Sequence, residues 1–214
     1  MNLHLMAPVG YTGYGYASMN ILSNLIKDNN VGLSIIGQPN PDNKEQAELI
    51  NLAINTSSLI PYDAPCLKIW HQFDLLSRVG SGKYFAFPFF EVDTFNQKEL
   101  HHLNFADEII VSCKWAKEII KNNNINKPVH IVPMGVDTTV FDHTKTNEGG
   151  SNNYVFMTVG KWEKRKAHDT IIECFGKAFT QKDNVELWLA TSNPFLNKEE
   201  ENQWINLVEQ SPLR

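Results

Sequence analysis

Residues 155–169 read Val155-Phe156-Met157-Thr158-Val159-Gly160-Lys161-Trp162-Glu163-Lys164-Arg165-Lys166-Ala167-His168-Asp169. The first five form a short apolar run, which reads as a buried strand that Gly160 ends. A basic turn follows. Beyond it Ile171, Ile172, Phe175, Ala178 and Phe179 fall at helical spacing. A strand therefore delivers a cationic turn to a helix N-terminus. Unpaired backbone N–H groups and the positive end of the helix dipole favour an anion there, and Lys161, Arg165 and Lys166 add full charges. The chemistry suits a phosphate.

Outward from this stretch the chain has ordinary globular character. It has 214 residues, enough for one large domain or one and part of a second at about 100–200 residues each. Hydrophobic content is 42% and charged content 20%. The net charge of −5 argues against a general nucleic-acid surface. Cys66, Cys113 and Cys174 are scattered without metal spacing. They read as small core residues in a reducing compartment. The N-terminus, Met1 to Pro8, lacks the basic and long apolar regions of a signal peptide, and no apolar run reaches the roughly 18–20 residues of a membrane span. The expected location is cytoplasmic, with any membrane contact peripheral.

At the front of the chain, Leu3 to Ala7 reads as a strand. Pro8 to Ser18 carries Gly10, Gly13 and Gly15, and Met19, Ile21, Leu22, Leu25 and Ile26 follow at helical spacing. Strand, glycine loop and helix together open a Rossmann-type unit. The spacing is not G-x-G-x-x-G, and Val31 to Ile36, the second strand, does not end in an acid. A dinucleotide cofactor is therefore not expected. The loop reads either as a tight turn or as an approach of backbone to a ligand.

The next strand, Cys66 to Trp70, ends in His71-Gln72-Phe73-Asp74. Open α/β sheets place ligands at the carboxyl ends of strands. A neutral imidazole at that end can orient a sugar hydroxyl or a phosphate. His71 is the catalytic candidate of this half, set against a role as a half-buried loop residue. Asp74 reads as a cap for the turn from Leu75 to Val79. Gly80-Ser81-Gly82 reads as a flexible joint, and Lys83 to Phe90 as an aromatic core strand. Glu91 then either accepts hydrogen bonds from a hydroxyl or braces the amides of the helix from Gln97 to Asn104, with the structural role favoured. Ser112 sits where a helix beginning at Lys114 needs a hydroxyl cap.

Val129 to Val132 is a further strand, and the segment from Val132 to Phe141, VPMGVDTTVF, follows from it. His143 to Asn153 is polar around Gly149-Gly150 and reads as a linker. After the basic turn, Asn184 to Ala190 is a strand, and Lys198 to Gln210 an acidic amphipathic helix with Trp204, Leu207 and Val208 on one side. The expected architecture is an α/β Rossmann-like N-terminal domain with a parallel sheet over 1–145, a linker over 146–153, and an incomplete second Rossmann-like domain over 154–214.

These features resemble the retaining glycosyltransferases of the group 1 family, which have the two-domain glycosyltransferase-B fold. The P-x-G-V-D…F pattern at Pro133 to Phe141 is similar to the segment that closes the family's N-terminal domain. The family has Gly-Arg at the strand end and Lys-Gly at the helix start of its donor-binding domain, where this chain has Gly160-Lys161 and Lys166-Ala167. Both basic positions are kept in type. Lysine grips a phosphate as a point charge without the bidentate fork of arginine. Alanine narrows the room that glycine leaves for backbone approach. Phe90-Glu91 is similar to the family's aromatic-Glu pair, and His71 to its cleft histidine.

The resemblance implies transfer of a sugar, hexosyltransferase-type, from a nucleotide-sugar donor to a hydroxyl of a glycan, lipid or small-molecule acceptor, with retention and without metal or other cofactor. His71 and Glu91 would be catalytic. Gly10, Gly13, Lys161, Arg165 and Lys166 would bind the donor phosphates. No Asp-x-Asp metal motif is present. The family's paired-glutamate E-x7-E motif and base-binding elements have no counterpart before Arg214, because Glu199, Glu200 and Glu201 are adjacent. The chain is thus expected to be either a fragment of a longer enzyme or a protein whose small second domain leans on the first or self-associates. The alternative reading is a non-catalytic sugar- or nucleotide-phosphate-binding module.

Overall fold

The computed structural model describes residues 1–10, 12–142, 144 and 151–211. Tyr11 of the glycine loop, residues 146–150 of the expected linker and the final residues 212–214 lie outside the described residues. The chain divides into two compact units, Met1–Asp137 and Thr138–Arg214.

The first unit alternates strand and helix except between its third and fourth strands. Strands β1 (Asn2–Ala7), β2 (Asn30–Ile35), β3 (Cys66–Ile69), β4 (Tyr84–Phe87), β5 (Glu108–Val111) and β6 (Val129–Ile131) form one parallel sheet in the order β2-β1-β3-β4-β5-β6. Helices α1 (Gly13–Asp28), α2 (Lys44–Thr56), α3 (Gln97–Phe105) and α4 (Lys114–Asn122) supply four of the five crossovers, and residues 70–83 join β3 to β4 without a helix. This is the expected α/β, Rossmann-like architecture. Both sheet faces are covered, as a parallel sheet requires. Ile109 and Val111 belong to one core cluster with Tyr84, Leu103 and Ile120, and Ile110 between them packs against the other, which holds Leu5, Leu22, Leu33 and Phe87.

The helix starts have chemical reasons. Thr12 Oγ1 accepts from the Gly15 N–H at the head of α1. Asn43 caps α2 in the same way. Asn96 and Glu99 form a reciprocal capping box at α3. That box braces the N-terminal amides of α3. Ser112 is not the cap of α4: the N-cap position falls on Cys113, and no side chain bonds the amides there.

Gly80 to Gly82 is packed rather than jointed. A Cβ on Gly82 would lie 2.2 Å from the Ala64 carbonyl oxygen, and Ser81 N–H donates to Tyr62 C=O at 2.7 Å. The cysteines correct the sequence reading as well. Cys66 is buried in β3, but Cys113 and Cys174 are exposed. Cys174 lies two residues beyond the buried Ile172 of its helix, on the side turned away from the core.

The second unit contains β7 (Tyr154–Gly160), α5 (His168–Ala178), β8 (Val185–Thr191) and α6 (Lys198–Glu209). The two strands are parallel and in register over seven pairs. Phe156 packs on Phe175 and Phe179 of α5. The opposite face carries Met157 and Val159, which are 61% and 69% exposed. The apolar run of β7 is therefore a strand, as expected, but not a buried one. Its composition specifies extended structure, while α5 and the groove-lining side of α6 cover one face only. Among the described residues, no helix is long and apolar enough to cross a membrane.

Candidate functional site

The strand order creates the site in the first unit. After β1 the chain builds β2 on one side, then crosses to build β3 on the other. The carboxyl ends of β1 and β3 are thus a topological switch point, where an open α/β sheet leaves a crevice between diverging loops. The glycine loop follows β1, and His71 follows β3.

In the glycine loop the backbone folds tightly on itself. A Cβ on Gly15 would lie 2.3 Å from the Gly10 carbonyl oxygen, and one on Gly10 would lie 3.0 Å from Asn40 O. These two glycines are required by packing. Among the described residues, nothing outside its own helix start lies within 4 Å of the Cβ position of Gly13, the first residue of α1.

His71 is half-buried in an aromatic surround. Tyr14 from α1 and Trp70 meet its ring edge-to-face, with centroids at 4.6 and 4.8 Å. Phe73 stacks on it at 4.9 Å with 9° between planes. Tyr14 donates its hydroxyl to the Phe89 carbonyl at 2.8 Å, and its oxygen lies 3.3 Å from His71 Nδ1. Burial lowers the His71 pKa, an effect partly offset by Asp74, so the imidazole is neutral at pH 7. Burial also raises the Tyr14 pKa to about 12, so the phenol keeps its proton. Tyr14 was not singled out from the sequence. It is 57 residues from His71, and only the strand order brings them together.

The loop carrying His71 is pinned from below. Lys68, on β3, is buried and donates to Ser77 Oγ at 2.7 Å, with Asp74 Oδ1 at 3.9 Å. Trp70 Nε1–H donates to the other Asp74 oxygen at 3.1 Å. Gln72 donates to Glu99 at 2.9 Å. The Leu75 N–H donates to His102 Nδ1 at 2.8 Å, and Tyr84 Oη–H to the Leu75 carbonyl at 2.7 Å. Asp74 thus tethers the loop to a buried lysine, where a turn cap was expected. Glu91 is exposed in the loop after β4.

In the second unit the basic turn is partly self-neutralised. Glu163 pairs with Arg165 at 2.9 Å and with Lys161 at 3.7 Å. The Lys161 ammonium also lies over the Phe195 ring at 5.1 Å. The aliphatic part of Lys166 lies beside Gly160, and its ammonium makes no ion pair with a described residue. Ala167 takes the left-handed conformation, φ 52°, between the turn and α5. Glycine relieves strain at such a position, so alanine here has a conformational cost. His168 is fully buried against Trp162 and Trp204, and its Nε2 bonds the Lys161 carbonyl at 3.0 Å, which fixes the turn to the helix start.

A groove of about 680 Å³ lies elsewhere in this unit, between α5, β8 and α6. Among the described residues, Phe175, Phe179, Leu187 and Val208 line it together with Asp183 and Glu186, and no cationic side chain does. It does not suit a diphosphate. Among the described residues, no three His, Cys, Asp or Glu side chains converge as a metal site would need.

No protein-family model matches the chain, and no curated protein matches it.

Proposed function

We propose that the chain is a glycosyltransferase that moves a sugar from a nucleotide-sugar donor to an acceptor hydroxyl with retention. In this reaction the bond from sugar C1 to the diphosphate oxygen breaks and a bond from C1 to the acceptor oxygen forms. The hydroxyl proton is taken up by the departing diphosphate. The observation that carries the reading is the neutral His71 held by Tyr14 at the switch point, on the sheet edge where α1 begins. The basic turn ahead of α5 supports it, because the diphosphate leaves as an anion. His71 contacts a hydroxyl of sugar or acceptor, and Gly13 allows close approach of the ligand to the amides of α1. Lys161 and Lys166 stabilise the diphosphate, with Arg165 assisting, and Glu91 accepts from an acceptor hydroxyl.

Glu163 offsets part of the charge of Lys161 and Arg165 and so lessens the stabilisation of a departing diphosphate; a second reading is that the turn binds a nucleotide phosphate without turnover. Thermal unfolding with a panel of nucleoside diphosphates and their sugars tests the phosphate site shared by both readings. A ligand at a hundred times its Kd stabilises the folded chain by about 2.7 kcal/mol. The expected result is a rise in melting temperature with one nucleotide, lost in the Lys161→Ala/Lys166→Ala double variant. No rise with any nucleotide overturns both readings.

A further inference from the structure

We infer that Tyr14 is a positioning residue that fixes His71 as the Nδ1–H tautomer, leaving the Nε2 lone pair as the group that meets a ligand. The hydrogen-bond inventory of one phenol decides this. A tyrosine hydroxyl has one hydrogen and two acceptor sites. Three groups surround the Tyr14 oxygen: the Phe89 carbonyl at 2.8 Å, the Phe89 N–H at 3.3 Å and His71 Nδ1 at 3.3 Å. The carbonyl can only accept. At 2.8 Å it therefore takes the single phenol hydrogen, for otherwise two oxygens would face each other with no proton between them. The backbone N–H can only donate and occupies one acceptor site. The remaining site faces Nδ1, and a hydrogen bond forms there only if the imidazole brings its own hydrogen. Ionisation of the phenol does not intervene, because burial holds its pKa at about 12.

A neutral imidazole carries one N–H, so Nε2 is left with a lone pair. Nε2 has no hydrogen-bond partner among the described residues and is not a buried orphan. Phe73 stacks on the ring and Trp70 abuts it, which limits how far it can turn. The site thus presents a hydrogen-bond acceptor of fixed direction. It takes a group that brings a proton, such as a hydroxyl, and disfavours a fully ionised phosphate, which can only accept. This consequence for the sugar or acceptor hydroxyl rests on the glycosyl-transfer reading, whereas the tautomer does not.

The test reads the tautomer directly. The whole chain, labelled with ¹⁵N-histidine and without ligand, is examined at pH 7.5 by long-range ¹H–¹⁵N correlation, with the His71 signals assigned by their loss in His71→Gln. The expected spectrum has a protonated-type Nδ1 and an unprotonated-type Nε2. In Tyr14→Phe the Nδ1–H preference is lost and the two nitrogen shifts move toward each other or exchange. A wild-type spectrum with the hydrogen on Nε2 overturns the inference whatever Tyr14→Phe does. So does an unchanged tautomer in a Tyr14→Phe variant with wild-type circular dichroism. If Tyr14→Phe does not fold, the wild-type spectrum alone decides. Because no ligand is present, failure here leaves the glycosyl-transfer reading to its own assay.

Discussion

Gly15 has no room for a side chain, because its Cβ would lie 2.3 Å from the carbonyl oxygen of Gly10. The first turn of α1 thus sits directly on the loop that leaves β1. Two residues earlier, no described group outside the helix start comes within 4 Å of the Cβ position of Gly13. Gly15→Ala is expected to cost about 2–3 kcal/mol, since the clash is with backbone and cannot be relieved by a rotamer change. Gly13→Ala should alter stability by no more than about 0.5 kcal/mol, the usual range for a surface change. Denaturant unfolding of the two variants checks this. If Gly13 faces a ligand, its alanine variant will keep wild-type stability and still weaken nucleotide-sugar binding.

Lys68 is the buried charge that tethers the His71 loop through Ser77 and Asp74. Lys68→Ala removes the tether and leaves a cavity, with an expected loss of about 2–4 kcal/mol. Lys68→Met keeps the volume without the ammonium and should cost less than about 1.5 kcal/mol. Burial lowers the folded pKa of Lys68 below its ordinary 10.5, against the opposing pull of Asp74. Well below both values the lysine is charged in folded and unfolded states alike, and the burial penalty is present in full. As pH rises through the folded pKa to 10.5 that penalty is relieved. Wild type should therefore gain stability relative to Lys68→Met on the alkaline side, measured by urea unfolding at a series of pH values.

His71 and His102 both have folded pKa values lowered from 6.5, with burial the largest cause in each. His102 Nδ1 must stay unprotonated to accept the Leu75 N–H. The unfolded chain binds these protons more readily than the folded one. The contribution of both groups is thus complete above pH 6.5 and is lost as pH falls through that value toward the folded pKa values. Stability should decline as pH is lowered from 7 to 5. His102→Gln can still accept from Leu75 without titrating and should flatten the decline. An equally steep decline in that variant would remove His102 from the account.

The sequence made the elements legible and left their neighbours hidden. Apolar runs such as Leu3 to Ala7 and helical spacings such as Met19 to Ile26 mark local structure, because strand and helix periods are written in consecutive residues. Strand order is not local, so the switch point between β1 and β3, and with it the meeting of Tyr14 and His71, could not be read. The apolar run of β7 likewise specifies a strand without saying what covers it, which is why Met157 and Val159 are exposed where burial was expected. Cys113 and Cys174 were misplaced because an apolar neighbourhood in sequence does not fix which side of a helix start or helix a residue takes.

The most direct measurement is release of nucleoside diphosphate from a panel of nucleotide sugars, with a hydroxylated acceptor present and the anomeric configuration of the product read by NMR. The account predicts release above the uncatalysed rate with at least one donor, a product of unchanged anomeric configuration, and a loss of about 10²-fold or more when both Lys161 and Lys166 are alanine, the scale for removing preorganised charge from a developing anion. Binding of a nucleotide sugar without release would contradict glycosyl transfer and leave a binding module. Release with inverted configuration would contradict the retaining mechanism.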